Sequence, residues 1–111
     1  MTNAESSPAA VTAWFTQRLP EEWTSSAAPE VAVDREEITV VLTLAPPALE
    51  DGATDAERAQ ALAGRVQGWR EDTRERRMQV AREAEHRFDR KVAWGVRVGT
   101  AEDATVHLFT H

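Results

Sequence analysis

The chain has 111 residues, of which 41% are hydrophobic and 29% are charged. This balance excludes a disordered acidic tail and a collagen-like fibre, and the absence of cysteine excludes a disulfide scaffold and thiolate chemistry. The charge is uneven, because residues 1–57 carry a net charge of −9 and residues 58–99 carry +5, within a total of −6. Segments of opposite charge attract each other, within one chain or between two copies.

The length favours one domain over residues 1–111, with residues 1–7 expected to form a disordered tail. The first residues lack the basic and apolar segments of a signal peptide, and no stretch approaches the ~20 apolar residues of a membrane span. We therefore expect a cytoplasmic protein that makes no membrane contact.

The first predicted elements are a short helix and a strand pair. Ser7 is the expected N-cap and Pro8 the first residue of a helix that Pro20 ends. Residues 31–33 and 38–44 then alternate in hydrophobicity with a period of two, which predicts two strands joined by a turn.

A long helix dominates the second half of the chain. Thr54 and Glu57 form a capping box, and the helical pattern continues to about Asp89. One helix face carries a stripe at spacings of three and four: Leu62, Val66, Trp69, Thr73, Arg77, Val80, Ala84 and Phe88. Residues 92–98 and 106–109 alternate as strands do.

These elements predict an α+β fold with two layers. An antiparallel sheet of about four strands is expected to pack against one long helix, with a short N-terminal helix beside them. The helix of about 36 residues would span ~54 Å, whereas a seven-residue strand spans ~23 Å. The sheet would therefore cover the end of the stripe near Phe88 and leave its beginning without a partner.

Three alternatives could provide the surface that covers Leu62, Val66 and Trp69. The helix could break near Gly64 or Gly68 and fold back on its own core, or the N-terminal helix could cover these residues. The third alternative is a homodimer in which two helices pair through this stripe. The heptad spacing favours the homodimer, and the two glycines would allow close approach.

A row of arginines on the same helix is a candidate nucleic-acid contact. Its members are Arg70, Arg74, Arg76 and Arg77. Acidic residues three or four positions away favour instead a solvated, salt-bridged surface. Nucleic-acid binding is therefore the second hypothesis.

The sheet face away from the long helix is a third candidate site, for a protein partner or a small ligand. Its expected members mix polar and apolar side chains: Thr39, Val41, Thr43, Arg97, His107 and Phe109. The N-terminal helix could also cover this face.

No motif predicts catalysis, a cofactor or a metal site. Glu83 and His86 have the spacing used in di-iron bundles, but a single copy is typical of a surface pair. His107 and His111 would lie ~13 Å apart on a strand, too far for one metal ion. The sequence has no glycine-rich phosphate loop and no nucleophile elbow, so we expect a non-enzymatic chain.

Several runs of sequence carry a resemblance to a known group. They are WFTQRLP at 14–20, VDREEI at 33–38, and the stretch from residue 73 through WGVR at 94–97. Over residues 13–98 the chain resembles small actinobacterial proteins of unknown function. The longer members continue into a segment similar to ribbon-helix-helix DNA-binding sequences, from which this chain departs near Gly99. The resemblance implies a module that can be attached to a DNA-binding segment, as a dimerisation or sensing domain would be. A self-associating interaction or assembly module is our first hypothesis.

Overall fold

The computed structural model describes residues 4–109 and has an α+β fold, as predicted. The helices are α1 (Pro8–Arg18), α2 (Asp55–Asp72) and α3 (Arg74–Phe88). The strands are β1 (Glu30–Val33), β2 (Glu37–Leu44), β3 (Lys91–Val98) and β4 (Val106–Phe109). Two short 3-10 helices, Ala4–Ser6 and Glu21–Trp23, flank α1.

The start of α1 is confirmed. The Ala10 N–H donates to the Ser7 hydroxyl at 3.2 Å, and Pro8 occupies the first helical position, where no N–H is needed. Residues 4–6, expected in a disordered tail, instead form a 3-10 helix in contact with α1. Residues 1–3 of that expected tail lie outside the described residues.

The capping box at the start of α2 is also confirmed. The Glu57 N–H donates to the Thr54 hydroxyl at 3.1 Å, and the Thr54 N–H donates to the Glu57 carboxylate at 2.8 Å. These two bonds satisfy backbone donors that have no partner inside the helix. The Thr54 N–H lowers the pKa of Glu57, and the Thr54 side chain adds to this effect, because hydrogen bonds to the carboxylate stabilise its charged form.

The predicted single long helix is interrupted at Thr73, between α2 and α3. The Thr73 hydroxyl donates to the Trp69 carbonyl at 2.7 Å, while the side chain of Arg77 donates to the Arg70 carbonyl at 2.6 Å. The Trp69 carbonyl thus accepts both the N–H and the hydroxyl of Thr73, and the Arg70 carbonyl accepts a side chain where a continuous helix would supply a backbone N–H. The alternative in which the helix breaks near Gly64 or Gly68 is wrong, because both glycines lie inside α2.

The sheet is mixed, so the predicted antiparallel sheet is wrong. Its order is β1-β2-β3-β4, and both outer pairs are antiparallel. The central strands β2 and β3 run parallel, with Glu37 opposite Lys91 and Leu44 opposite Val98. The helices α2 and α3 cross over the sheet and return the chain to the end at which β2 begins, which makes β3 parallel to β2.

The core lies between the helices and one face of the sheet. Phe15 of α1 contacts Trp94 of β3, with ring centroids 6.4 Å apart, and Trp14 contacts Phe88 of α3 at 5.7 Å. The residues of β2 with the same orientation as Trp94, such as Val40, are fully buried. Helix α1 therefore packs beside α3, on the sheet face opposite to Thr39, Val41 and Arg97.

Helix α2 reaches beyond the sheet, as predicted from the lengths of the two elements. Residues 55–88 span ~51 Å as helix, close to the 55 Å longest dimension of the structure. Residues 56–60 are exposed, and Trp69 is the only residue of α2 that is buried in the described chain. The first three turns of α2 thus depend little on the core.

Candidate functional site

A groove of about 690 Å³ opens between α2 and β4, and we call it the α2–β4 groove. It lies where α2 passes the edge of the sheet, and it contains members of all three predicted sites. Its lining residues are Ala59, Leu62, Ala63, Val66, Gln67, Arg70, Glu71, Arg74, Arg77, His107, Leu108 and Phe109.

The helical wall of the groove is apolar over its first half. Leu62 and Val66 are half-buried there, and both point to the same side because they are four residues apart. Gly64 and Gly68 lie on the opposite side of α2 and do not line the groove. A Cβ atom on either glycine would meet nothing within 4 Å. The expectation that these glycines allow close approach of a second helix stays a prediction, and neither glycine belongs to the α2–β4 groove.

Trp69, predicted as the third interface residue, belongs to the chain's own core. It is 8% exposed, and its ring lies 5.5 Å from Trp23 and 6.0 Å from Phe109 between centroids. The sequence shows Trp23 as an apolar residue in a loop, but not its position beneath α2. An interface on this stripe is consequently left with Leu62 and Val66.

Arg77, predicted as a phosphate contact, is buried with 1% exposure. Its Nε donates to the Thr73 hydroxyl at 2.9 Å and its Nη2 to the Arg70 carbonyl at 2.6 Å. Its guanidinium lies 5.1 Å from the centroid of Phe109. Because these contacts enclose the cation, Arg77 cannot reach a nucleic-acid backbone, and that part of the prediction is wrong.

The environment of Arg77 disfavours its charge but does not remove it. Burial lowers the pKa of Arg77 to about 10, and the neighbouring cations Arg70 and Arg74 add to this effect. At neutral pH the side chain remains protonated. Three positive charges therefore lie at one end of the groove, and that of Arg77 is buried.

Arg70 and Arg74 are exposed and line the groove, whereas Arg76 is exposed and does not. The guanidinium of Arg70 lies 5.2 Å from the centroid of Phe109 and thereby covers the edge of the core. Of the four arginines predicted as a row, two are thus accessible on the same side.

The phase predicted for β4 is wrong. His107 and Phe109 were expected on the sheet face away from the helices, but Phe109 pairs with Trp94 and His107 with Val96, on the helix-covered face. Phe109 is accordingly buried, whereas Leu108 points the other way and is 67% exposed. Three of the four β4 residues are apolar, so alternation alone does not determine which of them face the core.

The remaining members of the predicted partner face are Thr39, Val41, Thr43 and Arg97. Arg97 reaches across β2, and its Nη2 lies 3.2 Å from a carboxylate oxygen of Glu30 on β1. The Nε of Arg97 is buried and has no hydrogen-bond partner among the described residues. This face stays a prediction, without His107 and Phe109.

Of the Glu-x-x-His pair, Glu83 forms a contact between two helices. Glu83 receives two hydrogen bonds from Arg18 of α1, at 2.6 and 2.9 Å, and this ion pair lowers the pKa of Glu83. His86 is exposed, and His111 lies outside the described residues. Within residues 4–109 no three His, Asp or Glu side chains form a group suited to a metal ion. None of the described helices combines the length and apolar character needed to span a bilayer.

Comparison with known proteins identifies relatives for most of the chain. The family model "Rv1265-like protein, N-terminal domain" matches residues 9–104. The proteins named Uncharacterized protein Rv1265 and Uncharacterized protein MT1303, both of Mycobacterium tuberculosis, are each 48% identical over 98 residues. Uncharacterized protein Mb1296 of Mycobacterium bovis is similar to the same extent. No solved structure matches this chain.

The alignments cover 88% of this chain but 39% of each relative, so the chain spans about two fifths of the length of these relatives. The relatives are actinobacterial and longer than this chain, which confirms the resemblance found in the sequence. By the match of its residues 9–104, this chain belongs to the family of the Rv1265-like N-terminal domain.

Proposed function

We propose that this chain is a non-enzymatic self-association module in which two copies pair through the α2–β4 groove. The observation that carries this proposal is the exposed beginning of the apolar stripe. Leu62 and Val66 lie half-buried on the groove side of α2, and of the two only Val66 is among the described side chains that pack against the core. A helix with an apolar stripe is normally covered on that side, and here the described chain leaves it half-exposed.

The contacts of α2 support a rigid surface for such pairing. The capping box at Thr54 defines the start of the helix, and the Nε of Arg65 donates to the Ala45 carbonyl at 3.2 Å. The buried ring of Trp69 holds the other end of α2. A helix with a capped start and a buried end costs little conformational entropy when a partner binds.

A second copy is the occupant that best matches the groove. A symmetric pair uses the same surface twice, so the apolar stripe of each copy would cover that of the other. The partner would also lie against strand β4 at the edge of the sheet, where Leu108 and Phe109 line the groove. The opposite charges of the two halves of the chain favour association between copies as well.

The experiment is the solution mass by size-exclusion chromatography with light scattering, over a tenfold range of concentration. We expect about twice 12.3 kDa for the wild-type chain. Leu62→Glu should give a monomer, because it places a charge on the apolar stripe. Gly64→Glu is the matched control, since it adds the same charge to the same helix on the opposite side.

The expected control result is an unchanged dimer. A wild-type chain that stays monomeric at every concentration contradicts the proposal. So does a Leu62→Glu variant that keeps the dimer mass while its circular dichroism shows an intact fold.

A second candidate function is nucleic-acid binding through Arg70, Arg74 and Arg76, which are all exposed. It has less support than self-association, because Arg77 is buried and Arg76 does not lie at the groove. Affinity for a DNA duplex that falls steeply with added salt would favour it, since phosphate contacts release counterions.

A further inference from the structure

We infer that the two copies pair antiparallel along α2, so that Asp55 of each copy contacts Arg74 of the other. This inference rests on the proposed self-association and adds its orientation and its polar contacts. It assigns the exposed basic end of the groove to a partner of defined chemistry, the acidic first turn of a second copy of α2.

The register follows from the spacing of the residues that line the groove. Positions 59, 62, 63, 66 and 70 of α2 share the groove side. Each residue of a helix is rotated by about 100° from the one before it. By this rule Asp55, the first residue of α2, and Arg74, the residue after Thr73, lie on the same side as the groove residues. The groove side therefore has an acidic residue at one end and a basic residue at the other.

Two copies of the stripe match each other when the helices run in opposite directions and cross at its midpoint. The apolar residues Leu62 and Val66 lie on either side of residue 64, so in an antiparallel pair they contact each other. An axis half a residue further along, between residues 64 and 65, places Ala59 opposite the partner's Arg70 and Asp55 opposite the partner's Arg74. It moves the Leu62–Val66 pair out of register by only ~1.5 Å. At 1.5 Å per residue, Asp55 and Arg74 both lie ~14 Å from the midpoint.

The charges distinguish this orientation from the alternative. Asp55 and Arg74 are both exposed, and neither forms an ion pair among residues 4–109. Antiparallel pairing joins opposite charges at both ends of the interface. Parallel pairing would place Asp55 against Asp55 and Arg74 against Arg74, which is unfavourable.

The edge of the sheet leaves room for the partner's helix. Among the described residues, β4 is paired only with β3, so its outer edge lies open beside the groove. A helix in the groove would cover this edge, and covering of a free strand edge protects it from pairing with other chains. The first turn of the partner's α2 would then lie near His107 and Arg70 as well as Arg74.

The test is a charge-reversal cycle within one chain, measured as the dimer dissociation constant by sedimentation equilibrium. Asp55→Arg and Arg74→Glu should each weaken the dimer about tenfold, because each creates two contacts between like charges. The double variant restores opposite charges at both ends and should return to within about threefold of the wild type. Damage to the start of α2 alone would not be repaired by Arg74→Glu.

Arg76→Glu is the matched control, since Arg76 is exposed but lies away from the groove. Its dissociation constant should equal that of the wild type. If both single variants keep wild-type affinity while Leu62→Glu still separates the dimer, the antiparallel register is overturned and the self-association stands. Single variants that weaken the dimer without rescue in the double variant also overturn the register. A monomeric wild type overturns both proposals.

Discussion

The helices α2 and α3 carry one stripe but have different surroundings. In α3 the stripe residues Val80, Ala84 and Phe88 are buried against the sheet. In α2 the equivalent positions Leu62 and Val66 are half-exposed, and residues 56–60 are exposed. The spacing of apolar residues is the same in both helices, so spacing alone does not distinguish a core contact from a surface for a partner.

The difference comes from the length of the sheet. The eight residues of β3 span ~26 Å, about half of the ~51 Å covered by α2 and α3 together. The side chains of α3 therefore find partners in the same chain, whereas those in the first turns of α2 do not. Where an apolar stripe extends past the end of the sheet, its side chains need another surface to cover them.

The largest expected contrast between the two helices is in folding stability. Phe88→Ala should lower the free energy of unfolding by about 3 to 5 kcal/mol, because it empties a buried site. The ring of Phe88 is 7% exposed and packs at 5.7 Å against Trp14. Leu62→Ala, measured in the same way by urea denaturation at a concentration that keeps the chain monomeric, should cost much less. Equal losses would show that α2 is as much a part of the core as α3.

The junction between the helices provides the next contrast. Arg77→Met should cost about 1 to 3 kcal/mol, because the Arg70 carbonyl loses its guanidinium donor. Arg74→Met, three residues away and exposed, should change the free energy of unfolding by less than about 0.5 kcal/mol. Chemical denaturation of both variants measures the difference, and a neutral Arg77→Met would mean that the buried cation does not stabilise the junction.

A smaller effect of opposite sign is expected within α2. Gly64→Ala should stabilise the chain by about 1 kcal/mol, because alanine favours the helix and its Cβ meets nothing within 4 Å. Gly95→Ala is the contrasting variant, since a Cβ there would lie 2.8 Å from Leu108 Cδ2 and 3.2 Å from the His107 carbonyl. Thermal denaturation should show a higher Tm for the first and a lower Tm for the second. A lower Tm for Gly64→Ala would contradict the open surface around it.

The smallest expected effect is a pH dependence of the contact between α1 and α3. The ion pair with Arg18 lowers the pKa of Glu83 below its ordinary value of 4.5. Its stabilisation is therefore present above 4.5 and is lost as the pH falls through the lowered pKa of the folded state. The Tm difference between wild type and Glu83→Gln should shrink in that acid range. A difference that stays constant there would contradict the role of this ion pair.

Local features of the fold were predictable because they depend on neighbours within four residues. The two helix starts are defined by hydrogen bonds between residues three positions apart, from Ser7 in α1 and within the Thr54–Glu57 capping box in α2. Pro8 adds a first helical residue that needs no N–H partner. The groove residues Leu62 and Val66 were also predictable, since their spacing and the helix length are both local quantities. The burial of the Arg77 side chain was not predictable, because Phe109, one of the two rings beside it, lies 32 positions further along the chain than Arg77.

Local patterns in the chain were enough to predict the order of helices and strands, the apolar stripe, and the excess length of helix over sheet. Contacts between distant residues set the parallel direction of β2 and β3, the burial of Phe109 in place of Leu108, and the burial of Trp69. Strand direction and the phase of a short apolar strand depend on contacts between residues far apart in the chain. Periodicity describes only which side chains share a face, and the burial of that face depends on what the rest of the chain places against it.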